Sequence, residues 1–151
     1  MTDGPAGAAL PVRHAGLILR TVAGLVDIGL VWLVAWVVSA LLGLPLYGFT
    51  TVGFADSTSL HMTNAVMLFF AWLYWAGLES SPLQATLGMA VMGIFTADLS
   101  GGQASFGRTT VRYWARFVSV AFFLVGFLPI LFTPRRQALH DMLAGCTVLK
   151  R

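Results

Sequence analysis

The sequence predicts an all-α membrane protein: two transmembrane helices, a third apolar segment that either re-enters or spans, and a small cytoplasmic insert able to hold a short β-hairpin. Three observations predict it. Hydrophobic residues make up 58% of the 151-residue chain and charged residues only 10%, against about 25% charged in soluble domains. Mean hydropathy is correspondingly high, at +0.82. No Lys or Arg occurs between Arg20 and Arg108, so the basic residues bracket the apolar runs instead of punctuating them.

The elements follow in order. Residues 1–15 form a polar and basic leader, read as flexible, and 16–151 form one membrane domain. The first helix covers about 20–42. Its apolar run is longer than the core of a signal peptide and carries Asp27 without a small-residue cleavage site, so it is expected to be retained. Arg13 and Arg20 flank it, which places the N-terminal side in the cytoplasm. The connection at 43–60, with glycines, a proline, aromatics and Asp56 but no basic residue, reads as an outside loop. Residues 61–78 supply the second span, with Phe69, Phe70, Trp72, Tyr74 and Trp75 toward its inner half and Glu79 at its inner end.

The stretch 113–132 is long enough to span, yet arginines flank it on both sides: Arg108, Arg112 and Arg116 before, Arg135 and Arg136 after. Gly126 and Pro129 offer a break, and the charge pattern favours a re-entrant hairpin over a plain crossing. Between the second and third apolar stretches, Ser80-Ser81-Pro82 reads as a helix start, 83–92 as a short amphipathic helix ended by Gly93, and 94–99 as extended. Ser100-Gly101-Gly102 then makes a tight turn, followed by a strand or by a helix from about Ser105. If the tail is also cytoplasmic, 147–149 can pair with the strand at Thr96, which requires the re-entrant topology.

Chemistry concentrates in few residues. Asp27 is a carboxylate within an apolar run, where a charge costs roughly 2.5–3.5 kcal/mol and so meets a partner, a bundle interior or a water path. Arg20 is the first candidate: seven positions along a helix put both side chains on one face, about 10 Å apart along the axis. The two can meet directly, or each can find a third group. Asp27 then serves structure, proton or cation handling, or contact with another subunit; in the exchange reading, moving Arg20 away favours proton uptake. Arg20 can equally be an interfacial anchor. His140 beside Asp141 suggests a metal or a general base, but His14 and His61 lie toward opposite faces and Cys146 is the single cysteine, so no metal site or disulfide is expected. Asp141 is expected to cap a helix or to pair with Arg108, Arg112, Arg135 or Arg136, tying the tail to the insert. Glu79 either joins that cluster or stays solvated at headgroup level. Arg108, Arg112 and Arg116 recur every four positions and make a basic helix face suited to anionic lipid headgroups. The net charge of +3 is explained by topology better than by nucleic acid binding. No phosphate-binding glycine loop, activated nucleophile or catalytic carboxylate pair is present, so no enzyme and no cofactor are expected.

These residues carry a resemblance to the RDD family of small bacterial membrane proteins, named for one arginine and two aspartates. Arg20 and Asp27 match the first signature, in Leu19-Arg20-Thr21-Val22-Ala23-Gly24-Leu25-Val26-Asp27. The second half matches through Glu79-Ser80-Ser81-Pro82, Gln84-Ala85-Thr86-Leu87-Gly88, Gly93, Asp98, Gly101, Phe106-Gly107-Arg108, Arg112-Tyr113 and Leu139-His140-Asp141-Met142-Leu143-Ala144-Gly145. Asp141 would be the second aspartate. The chain departs from the family at Met89, where a lysine is usual, and at Cys146, where a threonine is usual. The resemblance implies a multi-pass protein of the bacterial cytoplasmic (inner) membrane. It also implies transport of an unidentified ligand or ion, with Arg20, Asp27 and Asp141 as the polar constellation and Glu79, Arg108, Arg112 and His140 in support. An accessory or assembly subunit of a larger complex, or a homo-oligomer, fits the same residues.

Overall fold

In the computed structural model, described over residues 13–43, 49–50, 53–54, 57–121 and 129–151, long helices carry a polar cap built around a small sheet. The first helix, α1, runs Leu17–Leu42 and ends at Gly43 in the left-handed region, φ +65°. At about 1.5 Å per residue its 26 residues reach about 39 Å, more than a hydrocarbon core of about 30 Å. Among the described residues it is the helix long and apolar enough to cross a membrane, and only 17% of its most apolar stretch is buried. A core helix of a soluble protein would be mostly covered. The inward-facing residues are small or polar: Ala23, Asp27, Ala35 and Ser39.

A two-residue pair, β1 (Phe49–Thr50) with β2 (Gly53–Phe54), precedes α2 at Ser57–Trp72. A π-helical turn, Leu73–Gly77, and α3, Leu78–Ser80, continue α2 without interruption. This helical run is longer than the 61–78 expected from sequence. A π turn leaves one backbone carbonyl over, and Thr109 Oγ1 donates to that of Ala76 at 2.9 Å.

Ser80-Ser81-Pro82 ends a helix and does not start one. Ser81 Oγ donates to the Leu78 carbonyl at 2.7 Å, and the chain turns through Gln84 at φ +53°. The insert helix α4 therefore covers only Leu87–Val91 and not 83–92. Thr86 is its N-cap, accepting from Met89 N at 3.3 Å. Strand β3 follows at Ile94–Asp98, and Asp98 Oδ1 then ties the turn by accepting from Ser100 N and Gly102 N at 2.9 and 2.8 Å.

The expected local hairpin is not the main pairing. Gln103 makes only a single bridge to Ala97, whereas β4, Cys146–Lys150, pairs antiparallel along all of β3 with Thr96 opposite Val148. On the other side of β4, Ala15 N donates to Val148 O at 2.9 Å and Lys150 N to Arg13 O at 2.8 Å. Two expectations are thereby corrected. The protein is mostly helical with a small sheet, not all-α, and residues 13–15 belong to the folded unit, not to a flexible leader.

Helix α5, Phe106–Ala121, lies against the π turn, with Trp72 edge-on to Phe106 at 5.4 Å and donating to Thr110 Oγ1 at 3.2 Å. After α6, Pro129–Phe132, helix α7, Leu139–Ala144, packs back along α5. Arg108 Nη1 reaches the Gly145 carbonyl at 3.1 Å, so the chain returns to the end of α5 from which it set out. A straight 20-residue crossing would instead separate its ends by about 30 Å. Gly126 lies outside the described residues. The apolar centre of the cap is Ala15, Ala23, Ala85, Met89, Ile94 and Val148, so Met89 is a core residue here.

Gly88 is where α4 meets α1. A Cβ there would lie 2.2 Å from the Ala23 carbonyl oxygen and 2.9 Å from Asp27 Cγ, too close to be absorbed without moving backbone. Gly88→Ala should therefore destabilise the folded chain by about 2 kcal/mol, whereas Gly29→Ala, with nothing within 4 Å, should leave stability unchanged or slightly raised. Thermal unfolding of the two variants in the same detergent checks the contrast.

Candidate functional site

Two polar clusters lie on the face that α1 turns toward the cap, and Arg20 and Asp27 are divided between them. Asp27 does not pair with Arg20. Its Oδ1 accepts from Tyr74 Oη and from Gly88 N, both at 2.7 Å, and its Oδ2 accepts from Thr86 Oγ1 at 2.5 Å. Tyr74, set in the π turn, also accepts from Leu87 N at 3.3 Å. The carboxylate thus caps the start of α4 from a neighbouring helix, where amide N–H groups lack intrahelical partners. Asp27 is buried, and both its oxygens are occupied.

Arg20 sits nearer the start of α1 and turns to the tail. Its Nη1 pairs with Asp141 Oδ2, its Nη2 donates to the Arg136 carbonyl at 2.7 Å, and its Nε donates to the Ala15 carbonyl at 3.2 Å. Arg112 approaches the same carboxylate from α5, with Nε 2.7 Å from Asp141 Oδ1, and its Nη1 reaches Glu79 Oε2 at 2.6 Å and Thr96 Oγ1 at 2.5 Å. Arg116 holds the other Glu79 oxygen at 2.5 Å. Asp141 finally accepts from Ala138 N at 3.1 Å, closing the first turn of α7. The network Arg20, Asp141, Arg112, Glu79, Arg116, with Thr96, so joins α1, α3, α5, α7 and β3.

Several expectations change here. Of the two alternatives open for Glu79, the structure has the cluster: it is buried between two arginines and not solvated at headgroup level. The face formed by Arg108, Arg112 and Arg116 is not a lipid-facing stripe: Arg112 is buried, Arg116 binds Glu79, and the exposed Arg108 bonds the Gly145 carbonyl. Asp141 takes Arg112 from its expected partners and adds Arg20. Tyr74, Thr86, Gly88, Thr96 and Ser119 were not among the polar site residues expected from the sequence. Of these, Thr86 ahead of a short apolar run carries a readable N-cap signal, while the others acquire their roles from residues distant in the chain.

Electrostatics follow from geometry. Burial opposes the charge of Asp141, but Arg112 and Arg20 overcome it and hold the carboxyl well below its usual range. Burial likewise opposes the charge of Arg112, and Glu79 and Asp141 more than offset it, keeping the guanidinium protonated. His140 behaves oppositely. Burial pushes its pKa down to about 3, so its 3.5 Å approach to Asp141 is that of a neutral ring, with Ser119 Oγ 3.4 Å from Nδ1. Among the described residues no group of three or more His, Cys, Asp or Glu is disposed to hold a metal ion.

Comparison with known proteins gives two matches. The sequence model described as the RDD family matches residues 14–145. The uncharacterized protein YxaI of Bacillus subtilis (strain 168) is 31% identical over 87 residues, covering 58% of this chain and 57% of YxaI. The alignment thus spans little more than half of that relative. No solved structure matches.

The His140 ring sets a pH window. Its pKa is about 3 folded against about 6.5 unfolded, so the unfolded chain binds the extra proton between these values. Its contribution to stability is complete above about pH 6.5 and declines as pH falls toward 3. His140→Gln should flatten that slope in unfolding experiments between pH 6.5 and 4. Asp141→Asn leaves the buried Arg112 and the largely covered Arg20 short of a counter-charge and should cost about 3–5 kcal/mol at neutral pH, read as a large drop in thermal midpoint.

Proposed function

Because the chain belongs to the RDD family, we propose that it works as a multi-pass protein of the bacterial cytoplasmic membrane, as a non-catalytic accessory or assembly subunit of a larger complex. In this reading α1 crosses outward, the helical run from Ser57 to Ser80 returns, and the segment after Arg112 re-enters without crossing. The cap is then cytoplasmic. Arg13, Arg20, Arg112, Arg136, Lys150 and Arg151 all lie in it, which agrees with the positive-inside rule, and the 43–56 connection carries no basic residue.

The observation that carries the subunit reading is the state of Asp27. A relay carboxylate needs oxygens that can exchange a proton or an ion with a path, whereas both oxygens of Asp27 are engaged in holding α4 to α1. Meanwhile α1 exposes Trp32, Leu33, Val34 and Trp36, a surface suited to lipid and to the helices of other membrane subunits or of a second copy.

A transport component is the second reading, favoured by one feature. Tyr74 stands on Asp27 from a π turn, a helical irregularity that recurs at functional sites. Here Asp27 relays an ion or proton, and Arg20 gates it by exchanging Asp141 for Asp27.

The deciding measurement is native mass determination of the tagged chain from its own membrane in mild detergent. The subunit reading expects a stoichiometric foreign protein, and it expects Asp27→Asn to lower abundance or complex yield through loss of the α4 latch. A pure homo-oligomer whose Asn variant inserts at normal abundance but conducts no ion after reconstitution would overturn it in favour of transport.

A further inference from the structure

A shallow cleft of about 300 Å³ opens where residues 13–14, the end of β4 and the turn before α7 meet, lined by Arg13, His14, Pro134, Arg136 and Lys150. Its charge is one-sided. The Asp and Glu side chains of the described residues are all engaged elsewhere: Asp27 by Tyr74, Thr86 and Gly88, Glu79 by Arg112 and Arg116, Asp141 by Arg20 and Arg112, and Asp98 by its own turn. Among the described residues, then, no carboxylate pairs with Arg13, Arg136 or Lys150.

The cations are also placed by backbone, not scattered on a surface. Lys150 N donates to the Arg13 carbonyl at 2.8 Å, which sets these two residues side by side on adjacent strands. Arg136 is held at φ +47°, a left-handed conformation that a non-glycine residue adopts at a cost, and its carbonyl is fixed by Arg20 Nη2 at 2.7 Å. Gly16 leaves room for its guanidinium: a Cβ there would come within 3.2 Å of Arg136 Nη1. The cleft opens beside the first turn of α1, the end of that helix bearing basic residues.

We propose that this cleft binds an anionic phosphate group, one carrying no compensating ammonium of its own. Guanidinium and ammonium donors converging on a small concavity match the several acceptor oxygens of a phosphate, and Arg136 and Arg13 can each present two parallel N–H groups. Such a phosphate reaches this site from a membrane lipid or from solution. The proposal does not depend on whether the protein is a subunit or a transporter.

The test uses the full chain purified in nonionic detergent and delipidated. Native mass spectrometry compares retention of phosphatidylglycerol with that of zwitterionic phosphatidylcholine, and thermal shift records titration with inorganic phosphate. The variants are Arg13→Gln/Arg136→Gln/Lys150→Gln together, Lys150→Gln alone in case the triple does not fold, and Arg151→Gln as an equal-charge control outside the cleft. Retention of phosphatidylglycerol over phosphatidylcholine, weakened about tenfold in the triple variant, partially by Lys150→Gln and not by Arg151→Gln, supports the site with a lipid source. A phosphate-induced shift abolished in the same variants, without lipid preference, supports it with a soluble source. Equal retention of both lipids with no phosphate response overturns it, as does an equal loss in Arg151→Gln, which would reduce the effect to net charge.

Discussion

The cap depends on one shared carboxylate. Asp141 is gripped by Arg20 from the first helix and by Arg112 from α5, and each arginine carries a further bond onward, to Arg136 and to Glu79. Pairs of this kind gain stability only when the remaining donors are satisfied as well, since the desolvation of each buried ion is costly. Here Thr96, Ala15 and the Arg136 carbonyl supply what the acids leave over. Short elements are thereby held in one arrangement: α7 has six residues, and half of the six residues at the apolar centre of the cap are alanine.

The Asp27 cluster performs a second, separate task. It is built of one acid and neutral donors, so no ion pair is needed: an α-helix start, a hydroxyl and a phenol share the charge. The absence of a side chain at Gly88 is what lets the amide come so close. The two clusters divide the signature residues by depth along α1, Arg20 toward the basic end and Asp27 two turns further on. The family signature is thus read, in this chain, as two fasteners on one helix face. Any exchange between them would require undoing the three donors on Asp27 and the three bonds made by Arg20.

Much of this was visible in the sequence, and the remainder was hidden for definite reasons. A carboxylate within an apolar run is expensive, so Asp27 stood out without any structure, with Arg20 as its nearest partner; Glu79 stood out at the end of a span, Arg112 by the four-residue spacing of its arginines, and Asp141 by the family motif. The pairing of 147–149 with Thr96 was also readable, as the arrangement open to a tail on the same side as the insert. Helical spacing placed Arg20 and Asp27 correctly on one face, but a face does not name a partner; the side chains that separate them come from residues 47 to 121 positions away. The start of α4 was misplaced because Ser80-Ser81-Pro82 carries the residue types of a helix start while its hydroxyls close the preceding helix. Residues 13–15 gave no strand signal of their own, since three residues acquire extended structure only when β4 lies beside them.

The position of β4 has a consequence in time. It is the central strand, bonded to β3 on one side and to residues 13–15 on the other, yet it is the last of the three to be synthesised. Until it arrives, the two outer strands have nothing to pair with, and Asp141 is not there to receive Arg20. In the membrane reading proposed above, the first helix would enter the bilayer before Asp141 is available to its arginine, and the cap would close afterwards. Such long-range closure is slow relative to helix formation, which gives the nascent chain an interval in which α1 is formed while its polar face is still open.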